Sequence, residues 1–150
     1  MNRKEREIKE LSLIEEIFKK AKVLRLGLCE NNNPYIVPLN FGYKDNHIYL
    51  HSSKKGMKID ILKKNNKVAF EVDFDYALIE SHRACGFSMD YESVIGFGRA
   101  FFIEDTNQKK EALDIIMAHY SPNKFEYELD ELEKVSLIRI DIDSMTGKKS

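Results

Sequence analysis

Tyr49-Leu-His-Ser-Ser-Lys-Lys-Gly-Met-Lys-Ile-Asp-Ile-Leu-Lys-Lys-Asn65 reads as a strand that ends in a hydroxyl-rich turn and passes directly into a basic helix. Ser52, Ser53 and the backbone N–H groups around Gly56 fall at the helix N-terminus. Donors without intrahelical partners and the helix dipole attract an anion there. Lys55 and Lys58 add positive charge close by. The turn suits the phosphate of a small cofactor better than a long polyanion. An ordinary solvated strand-to-helix connection would show the same spacing, so the motif needs support from the rest of the chain.

Upstream, Lys44-Asp-Asn46 predicts a hairpin into the strand at 47–51, and Asn31-Asn-Asn-Pro34 a turn between strands at 23–29 and 35–41. Ser12 followed by Glu15 has the form of a capping box. Leu13, Ile14, Ile17, Phe18 and Ala21 then recur at helical spacing, which predicts a helix over 13–21. The helix after Gly56 turns Ile59, Ile61 and Leu62 inward and ends near Asn65. Downstream, residues 67–72 read as a buried strand and 73–90 as a long functional loop or interface arm. Residues 91–104 form a long strand in which Gly96 and Gly98 mark a bulge or a close backbone approach. Asp105 or Thr106 caps a helix to about Tyr120 with Ala112, Leu113, Ile116 and Met117 on its apolar face. A last strand covers 135–142 before a polar end. Six strands joined by hairpins, with a few helices, predict an α+β, mainly β fold closed as a small antiparallel barrel.

Composition agrees with one ordered domain over residues 1–150: 43% hydrophobic residues, with nine Phe and seven Tyr among them. A formal net charge of −1 gives no basic field for nucleic acid. Cys29 and Cys85 form no CxxC and read as reduced, buried thiols. The N-terminus has no apolar signal-like core and no run is long enough for a membrane span, so a cytoplasmic address is expected. No two histidines are three or four apart and neither cysteine has a histidine near it, so no metal site is expected. Glu128, Asp130, Glu131 and Glu133 read as a solvated face.

Arg25-Leu-Gly-Leu28, then Pro34-Tyr-Ile-Val-Pro-Leu-Asn-Phe41, then Tyr49-Leu-His-Ser-Ser53 with Gly56 and Lys58-Ile-Asp60, follow one another in order. So do Tyr91-Glu-Ser-Val-Ile-Gly-Phe-Gly-Arg-Ala100 and the ending Ile142-Asp-Ser-Met-Thr-Gly-Lys-Lys149. Together they resemble the FMN-binding split barrels related to pyridoxamine 5′-phosphate oxidase, and within them the nitroimidazole-resistance (nitroimidazole reductase) branch. The resemblance runs from about residue 3 to the end. It implies a six-stranded antiparallel split β-barrel with flanking helices.

The same resemblance implies a cofactor, FMN or alternatively FAD. Val37, Pro38, Leu39 and Asn40 would run along the isoalloxazine, His51 and Ser52 would stand at the ring or ribityl chain, and Ser53 and Lys58 would hold the phosphate. Ser93 would lie near the cofactor, with His51 as the candidate proton donor. It further implies a homodimer with the flavin between subunits, the segment 73–90 covering the site from the partner chain. The chain has no Trp and lacks the Trp- and Arg-bearing ending of true pyridoxamine phosphate oxidases, which argues against vitamin B6 oxidation. The expected activity is flavin-dependent reduction of a nitroaromatic or quinone-like acceptor by an unnamed electron donor. The alternative is a non-enzymatic flavin- or haem-binding protein acting as scavenger or sensor.

Overall fold

The chain's computed structural model describes residues 4–150, and no helix among them is long and apolar enough to cross a membrane. The elements run β1 (Glu7–Ile8), α1 (Leu11–Lys20), β2 (Leu24–Glu30), β3 (Asn33–Leu39), β4 (Phe41–Lys44), β5 (His47–Ser53) and α2 (Met57–Lys64). They continue with β6 (Lys67–Ile79), β7 (Ser88–Ile103), α3 (Thr106–Tyr120), α4 (Leu129–Lys134) and β8 (Val135–Lys149). One sheet carries the strands in the order β3-β2-β6-β7-β8-β5-β4, with β1 added on β8. Asn40 alone separates β3 from β4, the two ends of that hydrogen-bonded path. The sheet must therefore curl until its edges meet at one residue without pairing, which makes a split barrel.

Local chemistry explains the connections. Asn31 and Asn32 have φ of 49° and 63°, and Asp45 and Asn46 have 51° and 63°. Both hairpins thus turn on two left-handed residues, the conformation Asn and Asp tolerate best. In β7 the register shifts between Phe97 and Gly98. A Cβ on Gly98 would strike the Asp141 carbonyl and one on Gly96 the Phe70 ring, so both glycines answer to close approach.

The barrel interior is filled by Leu24, Leu26, Phe41, Leu50, Phe70, Val94 and Ile140, and α1 plugs one end with Ile14, Ile17 and Phe18. The Phe18 ring stacks on Tyr43 at 4.4 Å between centroids and meets Phe41 edge-on at 6.2 Å, geometries worth about 0.5–1.5 kcal/mol each beyond area burial. A second cluster sits outside the barrel, where Ala112 and Ile116 of α3 cover Ile103 and Leu137. The end of α3 is tied down by Tyr120, whose hydroxyl accepts from Phe41 N at 3.0 Å and donates to the Lys22 carbonyl at 2.8 Å.

Several expectations are corrected. There are eight strands rather than six, because β1 is a two-residue addition and β4 splits from β3 at Asn40. Residues 73–79 extend β6 and residues 88–90 begin β7, so the expected loop shrinks to the tip of a long hairpin. The final strand runs on to Lys149, paired with β7 along its polar half. Helix α1 starts at Leu11, and Ser12 donates to the Glu10 side chain at 2.9 Å instead of capping with Glu15. The capping box falls at α4, between Glu128 and Glu131. Cys29 is half-buried and Cys85 exposed, both as free thiols. The cap of α3 is as expected: Asp105 accepts from Gln108 N at 3.0 Å.

Candidate functional site

The turn after β5 is built as an open anion cradle. Gly56 has φ 122° and ψ 165°, a conformation essentially reserved for glycine. Ile59 and Asp60 donate back to the Gly56 carbonyl at 3.0 and 3.1 Å. No side chain caps α2, which leaves the Met57 and Lys58 amides as its outward donors. Nothing lies within 4 Å of where a Gly56 Cβ would be. Lys58 is half-buried, and among the described residues its ammonium makes no hydrogen bond or ion pair. Ser53 is committed locally, its Oγ donating to the Lys55 carbonyl at 2.7 Å; the hydroxyl folds the turn and keeps only its lone pairs for a ligand.

The residues singled out from sequence fall into three groups. His51, Ser52, Ser53 and Lys58 are contiguous at the end of β5 and the start of α2. Asn40 joins them: the β4–β5 register pairs Phe41 with Leu50, and one step further sets Asn40 opposite His51. Strand neighbours alternate in direction. His51 and Ser53 therefore face outward, while Ser52 shares the inner face with Leu50 and is 6% exposed. Its Oγ is buried without a partner.

Val37, Pro38 and Leu39 lead away from this point along β3, a free sheet edge. Val37 and Leu39 pack against the main core. Pro34 and Pro38 fit an edge strand only where the missing N–H would face away from the neighbour. Alternate residues therefore direct Val37 and Leu39 amides to β2, leaving the free edge with carbonyls and the Ile36 and Asn40 N–H groups. Of residues 37–40, Asn40 is the one whose main-chain N–H reaches the free edge.

Ser93 stands apart. It is buried in β7 opposite Asp73 and Lys148, whereas His51 pairs with Leu137 at the other end of β8. The eleven residue steps from one partner to the other amount to roughly 35 Å of strand path. Within one chain the two do not share a site.

The outer face of the sheet carries a further feature. Ile36, Gly27, Ala69, Phe97 and Ser144 stand in one register row across five strands. Ile36 is 70% and Phe97 58% exposed, with Ile95 and Phe101 also exposed beside them. The next row holds Arg25, which donates to Asp73 at 2.9 Å and Glu71 at 3.0 Å. Burial, and then the neighbouring Asp73 charge, push the Glu71 carboxyl up to about 6. At the end of α3, burial holds His119 below the ordinary imidazole range while its Nε2 donates to the Ala21 carbonyl at 2.7 Å.

Two features escaped the sequence reading. Lys109 is buried although lysines in helices usually stand in water; its spacing to Ala112 and Ile116 was the signal. Ser136, unremarkable in sequence, faces Ser52 across the β5–β8 ladder.

An eight-stranded split barrel with an uncapped helix N-terminus beside its seam defines a class of small antiparallel barrels. The family model for pyridoxamine 5′-phosphate oxidase matches residues 11–149, and the chain belongs to that family. A protein of Bacteroides thetaiotaomicron VPI-5482, provisionally assigned to 5-nitroimidazole antibiotic resistance, is 38% identical with a TM-score of 0.86, over 95% of this chain and 86% of that one. The FAD and heme binding protein from Mycobacterium smegmatis shares the fold at TM-score 0.88 and 18% identity, over 97% of this chain and 73% of that one. The flavocytochrome Anf3 from Azotobacter vinelandii does so at 0.85 and 20%, over 96% and 69%. An uncharacterised protein of Rhizobium meliloti (strain 1021) is 38% identical over 48 residues, 32% of this chain and 31% of that protein.

Proposed function

We propose that the chain binds a flavin, FMN in the first instance, and uses it to reduce nitroaromatic or quinone-like small molecules. The observation that carries this reading is the uncapped start of α2, with its Gly56 turn, open space and partnerless Lys58, set beside the free β3 edge. The Met57 and Lys58 amides and the Lys58 ammonium would hold a terminal phosphate, with the Ser53 oxygen as a further contact. The 38% identity to the Bacteroides protein supports the choice of acceptor.

The isoalloxazine would lie along residues 37–40. The Ile36 and Pro38 carbonyls suit its ring N–H, and the Asn40 amide suits a ring oxygen. His51 and the Ser52 backbone close that end, and a His51 ring nitrogen can hold a proton for the acceptor. Bound there, a flavin supplies two-electron transfer; the protein orients it and limits water. An open barrel wall leaves one face of such a ring uncovered. A two-fold dimer through the Ile36–Phe97 row buries the exposed apolar face and brings a second copy to the groove, which is also the route by which Ser93 can approach a cofactor. An interface of about 2,000 Å² or more is expected.

Sparse acid–base equipment favours a second reading. Among the described residues His51 is the one imidazole near this turn, so a non-enzymatic flavin carrier is the alternative. The visible spectrum of the purified protein, mass identification of the released chromophore and light scattering test the proposal together. A colourless protein that takes up neither FMN nor FAD, or a flavin-loaded monomer at micromolar concentration, refutes it. Turnover with a reductant and a nitroaromatic separates enzyme from carrier.

A further inference from the structure

A cavity of about 250 Å³ opens where α2, the end of β7, the start of β8 and α3 meet, lined by Lys54, Lys63, Glu104, Lys109, Ser136 and Ile59. Residues 37–40, His51, Ser53, Lys58 and Ser93 do not line it. We infer that this cavity is a second binding site, for a compact dianion such as a phosphate group or a short dicarboxylate, distinct from the flavin groove.

Lys109 carries the inference. It is only 9% exposed, and its Nζ has one weak hydrogen bond, donated to the Leu132 carbonyl at 3.4 Å. Among the described residues no carboxylate pairs with it. An ammonium taken from water is strongly disfavoured unless an opposite charge or a full set of acceptors replaces the solvent. Two of its three protons are left for a ligand. The position is enforced by packing: Lys109 shares an α3 face with Ala112 and Ile116, which are buried against Ile103 and Leu137.

The rest of the lining is matched to an anion. Three ammonium groups and the Glu104 carboxylate leave two positive charges, which fits a dianion better than a monoanion. Ser136 adds a hydroxyl. Opposite it on the same sheet face is Ser52, with its buried partnerless Oγ. The volume falls just below the range of roughly 300–1,000 Å³ that holds drug-sized ligands, which selects a small one.

The test uses the protein as purified, with its chromophore monitored by absorbance. Thermal melts and calorimetric titrations are run with sodium phosphate and sodium succinate against sodium chloride at matched ionic strength. The site predicts protection by at least one dianion beyond the chloride control. Response to phosphate alone assigns a phosphate group, and to succinate alone a dicarboxylate. Lys63→Glu, at an exposed position, and Lys109→Met should each weaken the response at least tenfold while flavin content is retained. Lys58→Ala should leave the response unchanged, which separates this site from the flavin turn whether or not flavin binds there. No protection by either dianion overturns the inference. So does a response that disappears in Lys58→Ala, or one that survives in both Lys63→Glu and Lys109→Met. If Lys109→Met does not fold, Lys63→Glu decides.

Discussion

Gly56→Ala probes the anion turn through backbone geometry alone. The residue sits at φ 122° and ψ 165°, a region that costs a residue with a Cβ about 1–3 kcal/mol. No heavy atom lies within 4 Å of the added carbon, so steric clash contributes nothing and the whole effect is conformational. For a chain of this size each kcal/mol lowers Tm by about 2–4 °C, which predicts a loss of roughly 2–12 °C. The alanine can also be accommodated by rotating the turn, and that would swing the Met57 and Lys58 amides out of line. One charge-assisted hydrogen bond lost in this way predicts at least tenfold weaker flavin binding. A circular-dichroism melt gives the first quantity and fluorescence titration of the apoprotein gives the second. Unchanged Tm together with unchanged flavin affinity refutes both the strained turn and its role. A lower Tm with intact affinity keeps the strain and removes the turn from the phosphate.

Lys58→Ala should weaken flavin binding by about 1.5–3 kcal/mol with the fold retained, as the side chain has no partner to lose; full occupancy after dialysis would remove Lys58 from the site. His51→Ala should keep the flavin spectrum and slow reoxidation by a nitroaromatic by about 100-fold if the imidazole supplies the proton, against a few fold if solvent does; stopped-flow reoxidation measures this. Glu71 is raised from 4.5 to about 6 in the folded chain, so its stabilising protonated state is present below 4.5 and lost as pH rises through 6. Glu71→Gln should therefore stabilise near pH 8, by up to about 1 kcal/mol after allowance for solvent screening, and have no effect at about pH 3.5, well below the unfolded value; denaturant titrations at the two pH values check the sign.

The barrel was legible wherever one face of a strand is buried and the turns carry Asn, Asp or Gly. Residues 23–53 show this: their alternation and two-Asn or Asp-Asn turns survive in β2 to β5 with boundaries shifted by a residue or two. The exposed outer halves of β6, β7 and β8 were not legible, because their pairing is paid in backbone hydrogen bonds rather than apolar burial. Asp75 to Ile79 and Asp143 to Lys149 thus read as loop and tail. The anion turn could be read from Ser-Ser-x-x-Gly-x-Lys, since such a site is local in sequence. The cavity around Lys109 joins α2, β7, α3 and β8, and no local spacing reports a site assembled from four elements.

The two edges of the sheet explain why the candidate groove lies where it does. Closing a barrel by hydrogen bonds would satisfy every strand but leave no main-chain groups for a ligand. Here β3 and β4 are joined through Asn40 and remain unpaired with each other, and Pro34 and Pro38 remove donors that would invite a further strand. What survives on that edge is a set of carbonyls, the Ile36 and Asn40 amides and the nearby α2 N-terminus. A planar heterocycle with its own N–H donors and a phosphate tail complements those groups, whereas an extended peptide would need the donors that the prolines delete. The same prolines that protect the edge from aggregation therefore bias it toward a flat, donor-bearing ligand.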